Sequence, residues 1–152
     1  IVLRTFSKWA GLAGLRVGFG IMSPELARIV LNMKPPYNIN RAAEVAVLAS
    51  LDDIELLNHH IQDVIIERDR LYSLLQTIPG IYPYSSQANF ILCHTPEGCG
   101  QLISEGLARK GVFIRYFNTD RLKDFIRISV GLPHHTDTLI QTLQAVVKEC
   151  IE

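Results

Sequence analysis

Residues 3–18 read LRTFSKWAGLAGLRVG, and this stretch decides the fold. It begins with a short strand-like segment, leads the pair Ser7-Lys8 into a turn rich in Gly and Ala, and places Arg16 eight positions after Lys8. A lysine amine that must bond covalently to an aldehyde needs a fixed tether. The hydroxyls of Thr5 and Ser7 and the guanidinium of Arg16 are suitable donors for a phosphate beside that amine. The spacing therefore predicts a site for an aldehyde that carries a phosphate.

Pyridoxal 5'-phosphate is the cofactor that meets both demands. The stretch resembles the cofactor-lysine motif of fold-type I pyridoxal-phosphate aminotransferases, and with the second half of the chain it is most similar to the histidinol-phosphate aminotransferase family. By this resemblance Lys8 is the Schiff-base lysine, while Thr5, Ser7 and Arg16 hold the cofactor phosphate. The alternative interpretation is a Gly-rich turn followed by an exposed arginine that binds nothing.

Composition is that of a globular polypeptide with ample material for a core: 152 residues, of which 48% are hydrophobic and 20% charged. Fifteen basic residues balance fifteen acidic ones, which gives no overall field that would favour nucleic acid or an anionic membrane as a partner. No apolar run approaches the length of a membrane span, and the start has no basic-then-apolar signal segment. We therefore expect a cytoplasmic location.

Cysteine and histidine spacing gives no metal-binding pattern. Cys93, Cys99 and Cys150 are odd in number and form no CxxC pair, so we expect reduced thiols in or near apolar positions rather than a disulfide or a zinc site. The paired histidines at 59–60 and 134–135 are adjacent in sequence, which on a helix directs their side chains apart. They are interpreted as surface residues.

Hydrophobic periodicity predicts strands alternating with helices. Strands are expected at 1–6, 15–22, 88–94, 111–116 and 125–130, and helices at 24–33, 40–51, 54–76, 98–110 and 136–150. We predict the α/β fold of fold-type I pyridoxal-phosphate transferases. The expected division is the end of a large cofactor-binding domain at 1–52, a long inter-domain helix and turn at 53–80, and a small α+β domain at 81–152.

Two arginines stand out in the last third of the chain. Arg115 and Arg127 lie in or beside strands that are otherwise apolar and β-branched, and a guanidinium in such a position needs an anion or an acceptor. Its planar fork fits both a carboxylate and a phosphate. A structural carboxylate, for instance Asp120 or Asp124 in the intervening loop, is the open alternative.

The segments 111–117 and 125–131 are similar to the C-terminal signature of histidinol-phosphate aminotransferases. By that resemblance Arg127 binds the substrate's α-carboxylate or phosphate, and Arg115 helps to hold the phosphate. Asn89, in a similar strand, would support the carboxylate-binding arginine or form a structural turn. Tyr37, in a Pro-Tyr-Asn loop, would reach an active site across a dimer interface or serve only as scaffold.

The resemblance implies a reaction that exchanges an amine between glutamate and imidazole-acetol phosphate, yielding histidinol phosphate and 2-oxoglutarate in histidine biosynthesis, in a homodimer. Because the chain begins with Ile1 and family members are longer, we expect a C-terminal portion, which could be inactive alone. A broad aromatic aminotransferase, a phospho-amino-acid decarboxylase of the same fold and a non-catalytic sensor that binds pyridoxal phosphate are the alternatives.

Overall fold

The computed structural model describes residues 1–151 of the chain. Within those residues the strands are β1 (Val2–Thr5), β2 (Gly18–Ile21), β3 (Tyr82–Pro83), β4 (Phe90–His94), β5 (Arg115–Tyr116) and β6 (Phe125–Ser129). The helices are α1 (Pro24–Met33), α2 (Arg41–Asp52), α3 (Ile54–Leu75), α4 (Cys99–Arg109) and α5 (Pro133–Ile151). None of these helices is both long and apolar enough to cross a membrane.

Side-chain caps fix the starts of the first two helices. Ser23 Oγ accepts a hydrogen bond of 3.4 Å from Leu26 N, and Pro24 occupies the first helical position, where its missing N–H costs nothing. Asn40 Oδ1 accepts one of 2.8 Å from Ala43 N at the start of α2.

Two strands are four residues shorter than predicted, and each of these differences has a local cause. The strand expected over 15–22 begins only at Gly18, because Ala13–Leu15 form a 3-10 turn and Arg16 has left-handed backbone angles. The strand expected over 111–116 covers only the last two residues. Val112 N donates to Leu107 O at 3.0 Å, which keeps this segment against the end of α4. The two-residue β3 had no recognisable sequence pattern.

The chain divides into two compact units, one from Ile1 to Ile61 and the other from Gln62 onward, so the division falls inside α3. In the first unit β1 and β2 form an antiparallel pair. Thr5 lies opposite Gly18, and a Cβ on Gly18 would lie 2.5 Å from Arg4 O, so only glycine fits this approach of the two strands. Phe6, Val17 and Ala43 form a small core below the lysine turn.

The second unit is an antiparallel sheet in the order β3-β4-β6-β5, with helices on one face. Alternate residues of the central strands, among them Ile91, Cys93, Ile126 and Ile128, join a core with α4, α5 and the last turns of α3. The intervening residues of those strands, including Arg127, are half-buried on the opposite face. The sheet therefore separates a packed apolar face from a face that carries polar and aromatic side chains.

An ion-pair network fastens α3 to the start of α5 in this unit. Arg70 donates to Glu67 at 2.8 Å, to Asp137, and to the backbone oxygen of Pro133 at 3.3 Å. Both carboxylates raise the pKa of the Arg70 guanidinium by accepting its hydrogen bonds. The Glu67 side chain is only 7% exposed, so Arg70 provides the countercharge that makes its burial tolerable.

Candidate active site

A turn closed by backbone hydrogen bonds presents Lys8. Phe6 N donates to Val17 O, Leu12 N donates to Phe6 O, and Gly11 N donates to Lys8 O, each at 3.1 Å. Gly11 accepts this closure because its φ is 69°, a left-handed value that glycine tolerates. The Lys8 side chain is exposed, and within residues 1–151 no hydrogen bond or ion pair engages its amine. A fixed backbone therefore carries an amine that is free to react.

The hydroxyls of Thr5 and Ser7 lie side by side next to that turn. Thr5 Oγ1 donates to Ser7 Oγ at 2.8 Å and accepts from Ser7 N at 3.1 Å. These bonds fix both hydroxyl groups at the end of β1, one and three residues before Lys8. The structure thus brings together the two hydroxyls that the sequence analysis predicted to act on one phosphate.

Arg16 has an unusual backbone for its residue type. Its φ is 54° and its ψ is 45°, and among the described residues it is the one non-glycine residue with a positive φ. This conformation is unfavourable for a side chain that carries a Cβ. Its Nη1 donates to Ala13 O at 2.9 Å, and its other donors have no partner within residues 1–151. The guanidinium is thereby tied to the lysine turn and retains donors for a ligand.

Arg115 and Arg127 lie directly opposite each other on β5 and β6 and share the face of the sheet away from the helices. Arg127 Nε is buried and has no hydrogen-bond partner among residues 1–151. Asp124 is not its partner, because Asp124 Oδ1 accepts from Gly98 N at 2.8 Å at the start of α4. No ion pair formed within residues 1–151 includes either arginine or Asp120. The structure therefore shows two cations side by side without the structural carboxylate that the sequence had left open.

Two aromatic rings that the sequence analysis missed contact these arginines. Arg127 Cζ lies 5.0 Å from the centroid of the Phe90 ring and 5.8 Å from that of Phe117. Arg115 Cζ lies 5.4 Å from the Phe117 centroid. The position of Phe117, two residues after Arg115, could have predicted this contact, because alternate residues of a strand share a face.

The other two candidate residues have simpler surroundings. Asn89 is exposed just before β4, where its backbone oxygen accepts a bond of 2.9 Å from Val130 N. Tyr37 is 95% exposed in the loop between α1 and α2. Within residues 1–151 no hydrogen bond or ring contact joins either side chain to another candidate residue of its own unit.

The cysteine prediction is wrong for two of the three residues. Cys99, at the start of α4, and Cys150, near the end of α5, form a disulfide across 51 residues of sequence, a pairing that local spacing could not reveal. Cys93 is a free thiol in the core of the sheet, and burial raises its pKa to about 12. Among the described residues no group of three or more His, Cys, Asp or Glu side chains could hold a metal ion.

Comparison with solved structures defines the class of fold. A histidinol-phosphate aminotransferase from Clostridium acetobutylicum superposes with a TM-score of 0.86 at 27% identity, covering 97% of this chain and 45% of that one. One from Sinorhizobium meliloti, in complex with pyridoxal-5'-phosphate, gives a TM-score of 0.84 at 27% identity and covers 97% and 41%. The predicted α/β fold of fold-type I pyridoxal-phosphate transferases is confirmed.

The family follows from sequence. The model for aminotransferase class I and II matches residues 1–146, and the chain belongs to this family. A histidinol-phosphate aminotransferase from Roseiflexus castenholzii is 46% identical over 149 residues, covering 96% of this chain and 40% of that protein. The chloroplastic histidinol-phosphate aminotransferase 1 of Arabidopsis thaliana is 44% identical over 145 residues, covering 95% and 35%. The resemblance to this group is confirmed, and the chain spans 35–40% of the length of these two relatives.

Proposed function

We propose that this chain provides the cofactor lysine and the substrate-anion site of a pyridoxal-phosphate aminotransferase. The reaction exchanges an amine between glutamate and imidazole-acetol phosphate to give histidinol phosphate and 2-oxoglutarate, in histidine biosynthesis. The observation that carries the proposal is the pair Arg115 and Arg127, opposite each other on one sheet face and without a carboxylate partner among residues 1–151. The names of the relatives at 44–46% identity support the choice of substrate.

The lysine turn fits pyridoxal phosphate on the chemistry of its donors. A phosphate needs several hydrogen-bond donors and a positive charge, which Thr5, Ser7 and Arg16 supply from one short segment. The aldehyde needs an unpaired amine within the same segment, which Lys8 supplies. In this proposal Thr5, Ser7 and Arg16 would hold the phosphate, and Lys8 Nζ would hold the aldehyde end of the cofactor.

Lys8 would also carry a proton during the reaction. The bound cofactor supplies an electron sink for the carbon from which a proton is removed. Lys8 Nζ would act as the general base that removes that proton from the amine-bearing carbon and, once protonated, as the acid that gives the proton back. The closed backbone of the turn keeps the amine in reach, since Gly11 N and Leu12 N anchor the segment on both sides of it.

On the substrate side the two arginines act on the anions. Arg127, with its buried Nε, binds the α-carboxylate of glutamate or the phosphate of the other substrate, and Arg115 adds a second guanidinium when the ligand is a phosphate. Asn89 supports Arg127, and Tyr37 acts from the partner subunit of a homodimer. A cytoplasmic location is likewise proposed.

A chimera tests the function. This chain replaces the matching segment of the R. castenholzii relative, and turnover of histidinol phosphate with 2-oxoglutarate is measured. The proposal expects activity that Lys8→Ala abolishes. Arg115→Ala should raise the KM for histidinol phosphate strongly and the KM for 2-oxoglutarate little, because 2-oxoglutarate has no phosphate.

The alternative activities are distinguished by other substrates offered to the same chimera. A phospho-amino-acid decarboxylase would release carbon dioxide from a phosphorylated amino acid, and a broad aromatic aminotransferase would accept tyrosine or phenylalanine as well as histidinol phosphate. A chimera that folds and binds the cofactor but turns over none of these substrates would contradict the proposed enzyme and favour a sensor.

A further inference from the structure

We propose that Phe117 is a positioning residue that holds Arg115 and Arg127 side by side as a receptor for a doubly charged anion. This inference rests on the proposed function of the same site and deepens it. A single ring contacts both guanidiniums, at 5.4 Å from Arg115 Cζ and 5.8 Å from Arg127 Cζ. The Phe90 ring also contacts Arg127, with its centroid 5.0 Å from Cζ.

Strand alternation explains how the ring reaches both arginines. Tyr116 faces α4, since a Cβ placed on Gly100 in that helix would lie 3.1 Å from Tyr116 Cε2. The residues on either side of Tyr116, Arg115 and Phe117, therefore point to the opposite face. Arg127 lies opposite Arg115 in the β5–β6 pair and points to this face too. Phe117 thus lies next to two neighbouring cations rather than one.

The electrostatics of the pair favour such a ring. Like charges directly opposite each other on a sheet repel, and within the described chain neither arginine has a carboxylate to offset its charge. The face of an aromatic ring carries negative potential and attracts a guanidinium without occupying its hydrogen-bond donors. A carboxylate in the same place would compete with the substrate for those donors. The ring offsets the repulsion and leaves the donors to the ligand.

The consequence is selectivity between anions of different charge. A dianionic phosphate gains from two aligned guanidiniums, whereas a carboxylate needs only one bidentate partner. Loss of the ring should therefore weaken binding of a dianion more than binding of a monoanion. Removing the ring removes two such contacts, and their combined attraction corresponds to about a tenfold loss of affinity for phosphate.

The test uses the 152-residue chain labelled with ¹⁵N and follows the Nε–Hε signal of Arg127 during titration with inorganic phosphate, at a pH where phosphate is a dianion, and with acetate. Phe117→Leu removes the ring, and Phe117→Tyr keeps it. Phe113→Leu is the matched control, because Phe113 lies two residues before Arg115 just as Phe117 lies two residues after it. Phe113 is 82% exposed and has no ring contact with an arginine among the described residues. Backbone amide spectra report the fold of each variant.

The proposal expects Phe117→Leu to lower the affinity for phosphate about tenfold and the affinity for acetate much less. Phe117→Tyr and Phe113→Leu should bind both anions about as tightly as the parent chain does. Equal weakening by Phe117→Leu and Phe117→Tyr, or equal losses for phosphate and acetate, would overturn it while leaving the arginine site intact. An Arg127 signal that responds to neither phosphate nor histidinol phosphate in the parent chain would instead contradict the proposed function. If Phe117→Leu does not fold, the Phe117→Tyr titration decides, because tight binding must survive there.

Discussion

Arg16 allows the backbone and the guanidinium to be tested separately. Its φ of 54° costs a non-glycine residue roughly 1–2 kcal/mol, which Arg16→Gly relieves. The same substitution loses the 2.9 Å bond from Nη1 to Ala13 O, worth about 0.5–1.5 kcal/mol at most at an exposed site, and adds about 0.5–1 kcal/mol of chain entropy to the unfolded state. These contributions nearly cancel, so the free energy of unfolding should change by less than about 1 kcal/mol.

Cofactor binding should respond very differently. Charge-assisted hydrogen bonds contribute about 1.5–3 kcal/mol each, so losing the guanidinium should lower the affinity for pyridoxal phosphate by about 100-fold. Arg16→Ala is the matched variant, because it loses the guanidinium but keeps the unfavourable backbone. It should bind the cofactor as weakly as Arg16→Gly and be less stable by about 0.5–1 kcal/mol.

Absorbance titration with pyridoxal phosphate and urea unfolding measure the two quantities on the same samples. Arg4→Ala, which removes another exposed arginine on β1, is the control and should leave cofactor affinity unchanged. Cofactor affinity equal to the parent in both Arg16 variants would refute the role of the guanidinium. Equal stability of the glycine and alanine variants would refute the argument from backbone strain.

Three further predictions concern the second unit. Reduction of the Cys99–Cys150 disulfide should lower the free energy of unfolding by about 2–4 kcal/mol, measured by urea titration with and without reductant. Cys93 should react with a thiol reagent only after unfolding. Its pKa is about 12 in the folded state against the ordinary 9.0, so the folded state binds this proton more tightly than the unfolded state does. The free energy of unfolding should therefore fall as the pH rises from 9.0 toward 12. Gly106→Ala should destabilise by about 1–3 kcal/mol, because the new Cβ would lie 2.6 Å from Val146 Cγ1, and Val146→Ala in the same chain should recover part of the loss in a double-mutant cycle.

Local signals in the sequence were sufficient for most of the elements. Ser23 with Pro24, and Asn40, are side-chain caps whose effect depends only on the next three residues, and both helices begin where those caps lie. The apolar alternation around Ile91 and Ile126 likewise encodes which face of the sheet is buried. The left-handed backbone at Arg16 has no such signal, because arginine is not a residue that marks this conformation.

Contacts between distant residues were the part that the sequence did not reveal. Arg115 and Arg127 were recognisable as cations in apolar strands, but only the register of β5 and β6 makes them direct neighbours. From the sequence Asp124 could have paired with either arginine, but in the fold its carboxylate accepts a hydrogen bond from Gly98 N. The disulfide between Cys99 and Cys150 depends in the same way on how α4 packs against α5.

The central claim is that Lys8 is the amine that bonds to the cofactor. Incubating the chain with pyridoxal phosphate, reducing with borohydride and mapping the modified lysine by mass spectrometry tests it most directly, with Lys34, also exposed, as the internal comparison. The account predicts one pyridoxyl-phosphate group per chain, located on Lys8 and lost in Lys8→Arg. Modification spread over the other lysines, with no preference for Lys8, would contradict it.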